Sequence, residues 1–112
     1  MEKNIEIGIL YQFYKDLLSD KQSDTVEQYY IEDLSLTEIA ENLQISKQAV
    51  SNNLKRAERD LLDFEEKLQL YGKSIELTKS LEDLDKLIKK STDDKSYISI
   101  HEEISSMISK LN

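Results

Sequence analysis

The chain has 112 residues and a formal net charge of −8, with 38% hydrophobic residues and neither cysteine nor proline. This length predicts one main domain with room for an appended element, and the lack of cysteine excludes disulfides and thiolate metal sites. No apolar run approaches the roughly 20 residues of a membrane span and no signal peptide opens the chain, so we expect a cytoplasmic protein.

Two amphipathic helices are predicted in the first third of the chain. The first runs from about Lys3 to Leu18 and ends at Ser19-Asp20, and the second begins near Ser23 or Asp24 and continues to about Glu32. We expect both to brace the segment that follows. Their inward residues are predicted to be Leu10, Phe13, Tyr14, Leu17 and Leu18 in the first helix and Val26, Tyr29 and Tyr30 in the second.

The segment from Ser35 to Arg59 has the pattern of a helix, a tight turn and a second helix. Ser35 and Glu38 have the spacing of a capping box at the start of the first helix. Ala40 supplies the small side chain that two closely crossing helices need, and Ser46 has the chemistry of a second N-cap. The pattern therefore predicts a helix-turn-helix unit.

The second helix of this unit separates apolar from polar residues. Val50, Leu54, Ala57 and Leu61 lie on one side at about 100° per residue and are predicted to pack inward. The other side carries amides, which can pair with adenine, and basic groups, which can contact guanine or phosphate. The alternative is an ordinary solvated helix face. The predicted DNA-binding residues are Ser46, Lys47, Gln48, Ser51, Asn52, Lys55, Arg56 and Arg59.

The net negative charge is unevenly distributed along the chain. Residues 1–33 carry −5, residues 34–46 carry −2, residues 47–59 carry +3 and residues 60–112 carry −4. The one strongly positive block coincides with the predicted recognition helix. This distribution is compatible with specific DNA binding and predicts weak non-specific affinity.

The recognition helix is predicted to continue well beyond its binding face. Its apolar stripe extends to Tyr71, and Gly72 is the predicted C-cap, which gives a helix of about 24 residues. Two further amphipathic helices follow, from about Ser74 to Lys90 and after the polar break at residues 91–94. They can form a hairpin against the long helix or pack against a second copy of the chain, and we expect a homodimer because the hairpin alone leaves apolar surface uncovered.

These elements predict an all-α fold: a helical bundle with a helix-turn-helix unit, a long recognition helix and a C-terminal helical hairpin. Residues 1–72 are the predicted DNA-binding domain, and residues 73–112 are the predicted packing or dimerisation element. We expect no enzymatic activity, no cofactor and no metal site. The only histidine, His101, has no second histidine or cysteine to share a metal and is predicted to lie on the surface of the last helix.

With these residues identified, the chain resembles the YlxM family of small bacterial helix-turn-helix proteins. The resemblance runs through residues 29–41, resumes at residues 45–50 and 53–56, and extends into the Leu- and Glu-rich stretch 60–71. The same core is similar to the last DNA-binding region of bacterial sigma factors. Two positions depart from the family pattern: Gln44 replaces a glycine at a turn position that often needs a left-handed backbone, and Ser51-Asn52 replace an aromatic residue followed by an acid. Because Ser51 and Asn52 lie on the predicted reading face, the family's base preference is not carried over to this protein.

The resemblance implies an all-helical, cytoplasmic DNA-binding regulator of transcription. It also implies an association with the signal recognition particle pathway and its components. The leading hypothesis is a homodimer that binds duplex DNA through residues 46–59 in the major groove. The alternative is an RNA-associated or protein-docking factor of the protein-targeting machinery, in which the acidic surface is the functional one.

Overall fold

The computed structural model describes residues 2–111, which form six α-helices and contain no β-strand. A 3-10 turn at Lys15–Leu17 follows the first helix, and a π-turn at Glu27–Ile31 extends the second. The all-α fold class is confirmed. The helices are α1 (Lys3–Tyr14), α2 (Asp20–Val26), α3 (Leu36–Leu43), α4 (Lys47–Leu68), α5 (Leu70–Ser91) and α6 (Asp94–Lys110).

The chain folds as two compact units, which divide after Gln69. In the first unit, helices α1, α2 and α3 all pack on α4. The buried side chains on α4 recur at steps of four, three and four residues, so they form one stripe facing the other three helices. Burial of each valine, leucine or isoleucine side chain stabilises the fold by about 1.5–3 kcal/mol. The fully buried residues include Ile7, Leu10, Tyr14, Val26, Ile39, Val50 and Leu61.

The predicted end of the first helix and the predicted start of the second are wrong, whereas the start at Lys3 and the end of the second helical segment near Glu32 are confirmed. The first α-helix ends at Tyr14, and Leu17, predicted to be inward, is 55% exposed. Ser19 begins α2 as its N-cap, because its hydroxyl accepts from the Gln22 amide while the Gln22 side chain accepts from the Ser19 amide. This reciprocal pair satisfies two amide donors at the helix start, so α2 begins several residues earlier than predicted.

The prediction that Gly72 caps the recognition helix is also wrong. Helix α4 ends at Leu68 and is 22 residues long, because Gln69 adopts a left-handed backbone and its amide donates to the Glu65 carbonyl. That single bond is the αL type of helix C-cap. Gly72 lies inside α5.

The second unit is a helical hairpin of α5 and α6, as predicted. Asp93 caps α6 by accepting from the Ser96 amide at 2.7 Å, and Ile104 of α6 is buried. Asp85 of α5 accepts hydrogen bonds from the Tyr97 hydroxyl at 2.8 Å and pairs with Nδ1 of His101 at 2.9 Å. These contacts fix which face of α5 is turned towards α6. None of the helices described is long and apolar enough to cross a membrane.

Candidate nucleic-acid interface

The turn between α3 and α4 is built around a left-handed residue. Gln44 has φ 56° and ψ 43°, its amide donates to the Glu41 carbonyl, and the Ile45 amide donates to the Ala40 carbonyl. This pair of bonds is a Schellman motif, which satisfies the last carbonyls of α3. Gln44 therefore adopts the left-handed conformation that a glycine would favour at this position. Ser35 and Glu38 form the predicted capping box at the other end of α3.

The start of α4 and its inward face fix the orientation of the second helix. The Ser46 hydroxyl accepts from the Ala49 amide at 3.0 Å, which confirms this serine as the N-cap. Val50, Ala57 and Leu61 are fully buried and Leu54 is 5% exposed, so the predicted inward stripe is correct. Because this stripe is anchored against three other helices, the residues on the opposite side of α4 are held facing outward.

The predicted contact residues form one continuous outward face along the first half of α4. Ser51 differs from the rest because its side chain is half-buried, which leaves it less room to reach a base. No ion pair involves the cationic groups of Lys47, Lys55 or Arg56 within residues 2–111. The exposed members of the face are Ser46, Lys47, Gln48, Asn52, Lys55, Arg56 and Arg59.

Two side-chain amides on this face, those of Gln48 and Asn52, are hydrogen-bonded to each other. The Gln48 amide Nε2 donates to the Asn52 Oδ1 at 3.1 Å, one helical turn away. Gln48 keeps one N–H and its oxygen, which is the donor and acceptor set that adenine N7 and N6 require. Asn52 keeps both N–H donors for acceptors on a neighbouring base. The pair therefore limits the rotamers of both side chains before any ligand arrives.

Glu58, the one acid within the basic residues 47–59, contacts residues outside α4. Glu58 pairs with the Lys3 ammonium at 3.2 Å and accepts a hydrogen bond from the Tyr30 hydroxyl. Burial first, and then this carboxylate, raise the pKa of Tyr30. The Glu58 side chain is only 18% exposed, so it contributes little negative surface beside Lys55 and Arg59.

The charge of α4 changes sign after Arg59. Asp60 lies 3.9 Å from Arg59 Nε, and Asp63 and Glu66 follow on the same side of the helix at four and seven residues from Arg59. These carboxylates would oppose a phosphate backbone. The part of α4 after Arg59 is therefore electrostatically unsuited to a nucleic-acid contact.

The described part of the chain was also searched for metal-binding groups and for partners of its histidine. Residues 2–111 hold no group of three or more histidine, aspartate or glutamate residues arranged to bind a metal ion. His101 is exposed as predicted, and its partner is Asp85 rather than a metal ligand set. The hydrogen bond to His101 is the main cause that lowers the pKa of Asp85.

The fold and the orientation of α4 define a helix-turn-helix protein. The chain belongs to the UPF0122 family, whose sequence model, described as "Putative helix-turn-helix protein, YlxM / p13 like", matches residues 1–104. It is 48% identical over 84 residues to a UPF0122 protein of Oceanobacillus iheyensis, covering 75% of this chain and 80% of that protein.

Two further relatives come from Lactococcus lactis. A UPF0122 protein of subspecies cremoris is 43% identical over 104 residues, covering 93% of this chain and 91% of the relative. The protein YofM of subspecies lactis is 46% identical over 93 residues, covering 83% and 82% respectively. These matches confirm the family resemblance that the helix-turn-helix residues indicate.

The surroundings of the candidate interface do not follow from the sequence alone. Glu58 contacts Lys3 and Tyr30, which lie far from it in the sequence. No local pattern announces such a contact. The Gln48–Asn52 pair could have been found, because amides four residues apart on an exposed helix face are within reach of each other.

Proposed function

We propose that this protein is a DNA-binding regulator that reads duplex DNA by placing the first half of α4 in the major groove. The observation that carries the proposal is the outward face of α4, where exposed amides and cations coincide with the one basic block of an acidic chain. Gln48 and Asn52 face base edges, with Ser51 beside them. Lys55, Arg56 and Arg59 contact the phosphate backbone.

The start of α4 contributes a further backbone contact in this proposal. Its first amides point out of the helix end, where the helix dipole favours a negative group. Lys47 adds a side-chain charge at the same end, and Ser46 orients the first turn. Together they anchor a phosphate and set the depth at which α4 enters the groove.

The test is in vitro selection from random duplex DNA, followed by anisotropy on the selected site. Replacing Gln48 and Asn52 together by alanine is expected to weaken binding by about 1–3 kcal/mol for each base that is no longer recognised, and to relax the sequence preference. The double variant Lys79→Ala/Lys110→Ala, which removes two charges outside α4, is the control. If Gln48→Ala/Asn52→Ala binds with unchanged affinity and preference, α4 does not read bases.

The proposal includes a homodimer acting on bacterial genes in the cytoplasm, with residues 1–72 as the binding part and residues 73–112 as the dimerisation part. A chain of net charge −8 with one basic face has little non-specific affinity for DNA. In a dimer, two linked binding faces contact the DNA together and raise the total affinity. Genes of the signal recognition particle pathway are the proposed targets. Recovery of a palindromic sequence in the selection supports a dimer; a single asymmetric half-site contradicts it.

The acidic surface favours a second candidate function. Outside residues 47–59, every block of the chain has a net negative charge, which suits a basic protein partner of the targeting machinery better than it suits DNA. Anisotropy titrations with duplex DNA and with the signal recognition particle RNA, each repeated over a range of salt, separate DNA binding from the RNA-associated form of this second function. A steep salt dependence for DNA alone contradicts the RNA-associated version.

A further inference from the structure

Three side chains of the α5–α6 hairpin are connected in the order of a serine-type catalytic triad. Asp85 of α5 lies 2.9 Å from Nδ1 of His101, and Nε2 of His101 lies 3.5 Å from the Ser105 hydroxyl oxygen. The second distance is long for a hydrogen bond, as the contact between nucleophile and base often is before a substrate binds. Asp85 and His101 are 16 residues apart, so the sequence alone does not show that they meet.

Asp85 determines which nitrogen of His101 is free to act as a base. The hydrogen bond from His101 lowers the pKa of Asp85, which also accepts the Tyr97 hydroxyl at 2.8 Å, so its carboxylate is ionised at neutral pH. An ionised carboxylate only accepts hydrogen bonds, and Nδ1 of a neutral His101 therefore carries the proton. The lone pair of Nε2 is left on the side of Ser105.

The Ser105 hydroxyl differs from those of two other serines in the hairpin. Ser91 and Ser109 donate to carbonyls of their own helices, which is a common bond of a helical serine. Ser105 lies one turn after His101 on α6, and its oxygen contacts Nε2 instead. A hydroxyl that contacts an imidazole lone pair can give up its proton as it attacks a carbonyl carbon.

The histidine and the serine line an open cavity of about 290 Å³ within the hairpin. Ile104, which is 5% exposed, and Ile108 supply its apolar lining, and Lys86 supplies a cation. A space of this volume lies at the lower limit for small-ligand sites. Because Glu82 on the same wall disfavours anions, the cavity suits a short, uncharged ester whose developing oxyanion Lys86 can stabilise.

We propose that the α5–α6 hairpin hydrolyses short, uncharged esters, with Ser105 as nucleophile, His101 as base and Asp85 positioning His101. The Ser105 oxygen attacks the ester carbonyl carbon while Nε2 of His101 takes its proton, and the alcohol leaves with that proton. Water then attacks the acyl group on Ser105; His101 takes a proton from the water and returns it to the serine oxygen as the carboxylic acid departs. This activity departs from the sequence-based expectation of no enzyme, and it does not depend on DNA binding by α4.

The first test measures hydrolysis of p-nitrophenyl acetate by the full chain. Ser105→Ala and His101→Gln should each lower kcat/KM about 100-fold, the lower end of what acid–base catalysis contributes. Ser106→Ala is the matched control, because Ser106 is the adjacent exposed serine of α6, and it should keep the wild-type rate. Circular dichroism verifies that each variant keeps its helix content.

The second test looks for a covalent bond to Ser105, because a histidine can cleave an activated ester without a serine. A fluorophosphonate should attach to the Ser105 oxygen with release of fluoride. Peptide mass spectrometry should find this adduct on the wild type and on Ser106→Ala, but not on His101→Gln.

The remaining outcomes are equally decisive. A wild-type rate equal to that of buffer, equal rates for the wild type and Ser105→Ala, or no adduct on Ser105 overturns the proposal, even where His101→Gln is inactive. Asp85 acts only through His101, so Asp85→Asn should lower kcat and leave KM unchanged; an unchanged kcat overturns its positioning role. No test uses DNA, so these failures are distinct from a failure of base reading by α4.

Discussion

At the scale of single residues, the turn of the helix-turn-helix unit depends on one backbone conformation. Gln44 holds a left-handed φ of 56° where the family resemblance expects glycine. A side chain in this region costs about 1–2 kcal/mol because its Cβ crowds the next carbonyl. The surrounding Schellman bonds impose the conformation in spite of that cost.

Gln44→Gly is therefore expected to stabilise the protein. Removing the Cβ relieves the crowding, while the greater freedom of glycine in the unfolded chain offsets part of the gain, leaving about 0.5–1 kcal/mol. Urea unfolding followed by circular dichroism measures the change, and Gln44→Val, which tolerates this φ least, should move the midpoint in the opposite direction. An unchanged or lower midpoint for Gln44→Gly would show that Gln44 is not strained.

The contacts of Glu58 lead to a prediction about affinity. Glu58→Gln keeps a hydrogen-bond acceptor for Tyr30 but releases Lys3 and removes the one acid within the basic block. DNA affinity should rise about three-fold at low salt, because the interface gains net positive charge close to phosphates. Anisotropy on the selected duplex measures this, with Glu103→Gln on α6 as the control. Equal affinity for the two variants would mean that Glu58 lies outside the binding surface.

At the scale of elements, periodicity predicted helices well and their ends poorly. The stripes at 3.6-residue spacing identified the helix-turn-helix unit, the long recognition helix and the hairpin, because buried apolar faces leave a regular sequence pattern. The start of α2 at Ser19 was missed although Ser19 and Gln22 have capping-box spacing. The end of α4 at Gln69 could not be foreseen, since glutamine carries no left-handed preference and Gly72 lies close by.

The hairpin of α5 and α6 should respond to acid through Asp85. The pKa of Asp85 is lowered from the ordinary aspartate value of 3.8, chiefly by the hydrogen bond to His101. The ionised carboxylate therefore stabilises the folded protein at pH values above 3.8, and this stabilisation is lost as the pH falls through the lower pKa of the folded state. Thermal unfolding from near-neutral pH downward should show a steeper loss of stability for the wild type than for Asp85→Asn. Asp83→Asn, two residues away, is the control and should follow the wild type; parallel curves for all three would contradict the pairing.

At the scale of the whole molecule, the charge is arranged as a local basic face on an acidic chain. The exposed face that forms the candidate site could be predicted from the sequence, because amide and basic side chains recur there with helical periodicity. The hydrogen bond between Gln48 and Asn52 and the ion pair of Glu58 with Lys3 are seen only in the three-dimensional structure. The function of the two units, 2–69 and 70–111, stays a prediction.

For the DNA binding proposed above, this arrangement sets a ceiling on the salt dependence. Each recognition helix offers four cationic side chains, Lys47, Lys55, Arg56 and Arg59. At about −0.9 per phosphate neutralised, the slope of log K against log salt should be no steeper than about −3.6 per helix, and Lys55→Ala should reduce it by about 0.9. A markedly steeper slope, or no change with Lys55→Ala, would place the phosphate contacts elsewhere on the protein.

The most direct test of the proposed function is to map the surface that duplex DNA touches. An NMR titration of the isotope-labelled protein with the selected duplex reports the response of each backbone amide. If α4 reads DNA as proposed, the largest shifts fall within residues 46–59, led by Gln48, Asn52 and Lys55, with α6 unaffected. Shifts concentrated on α6 or on the acidic second half of α4, or no shifts at all, would contradict it.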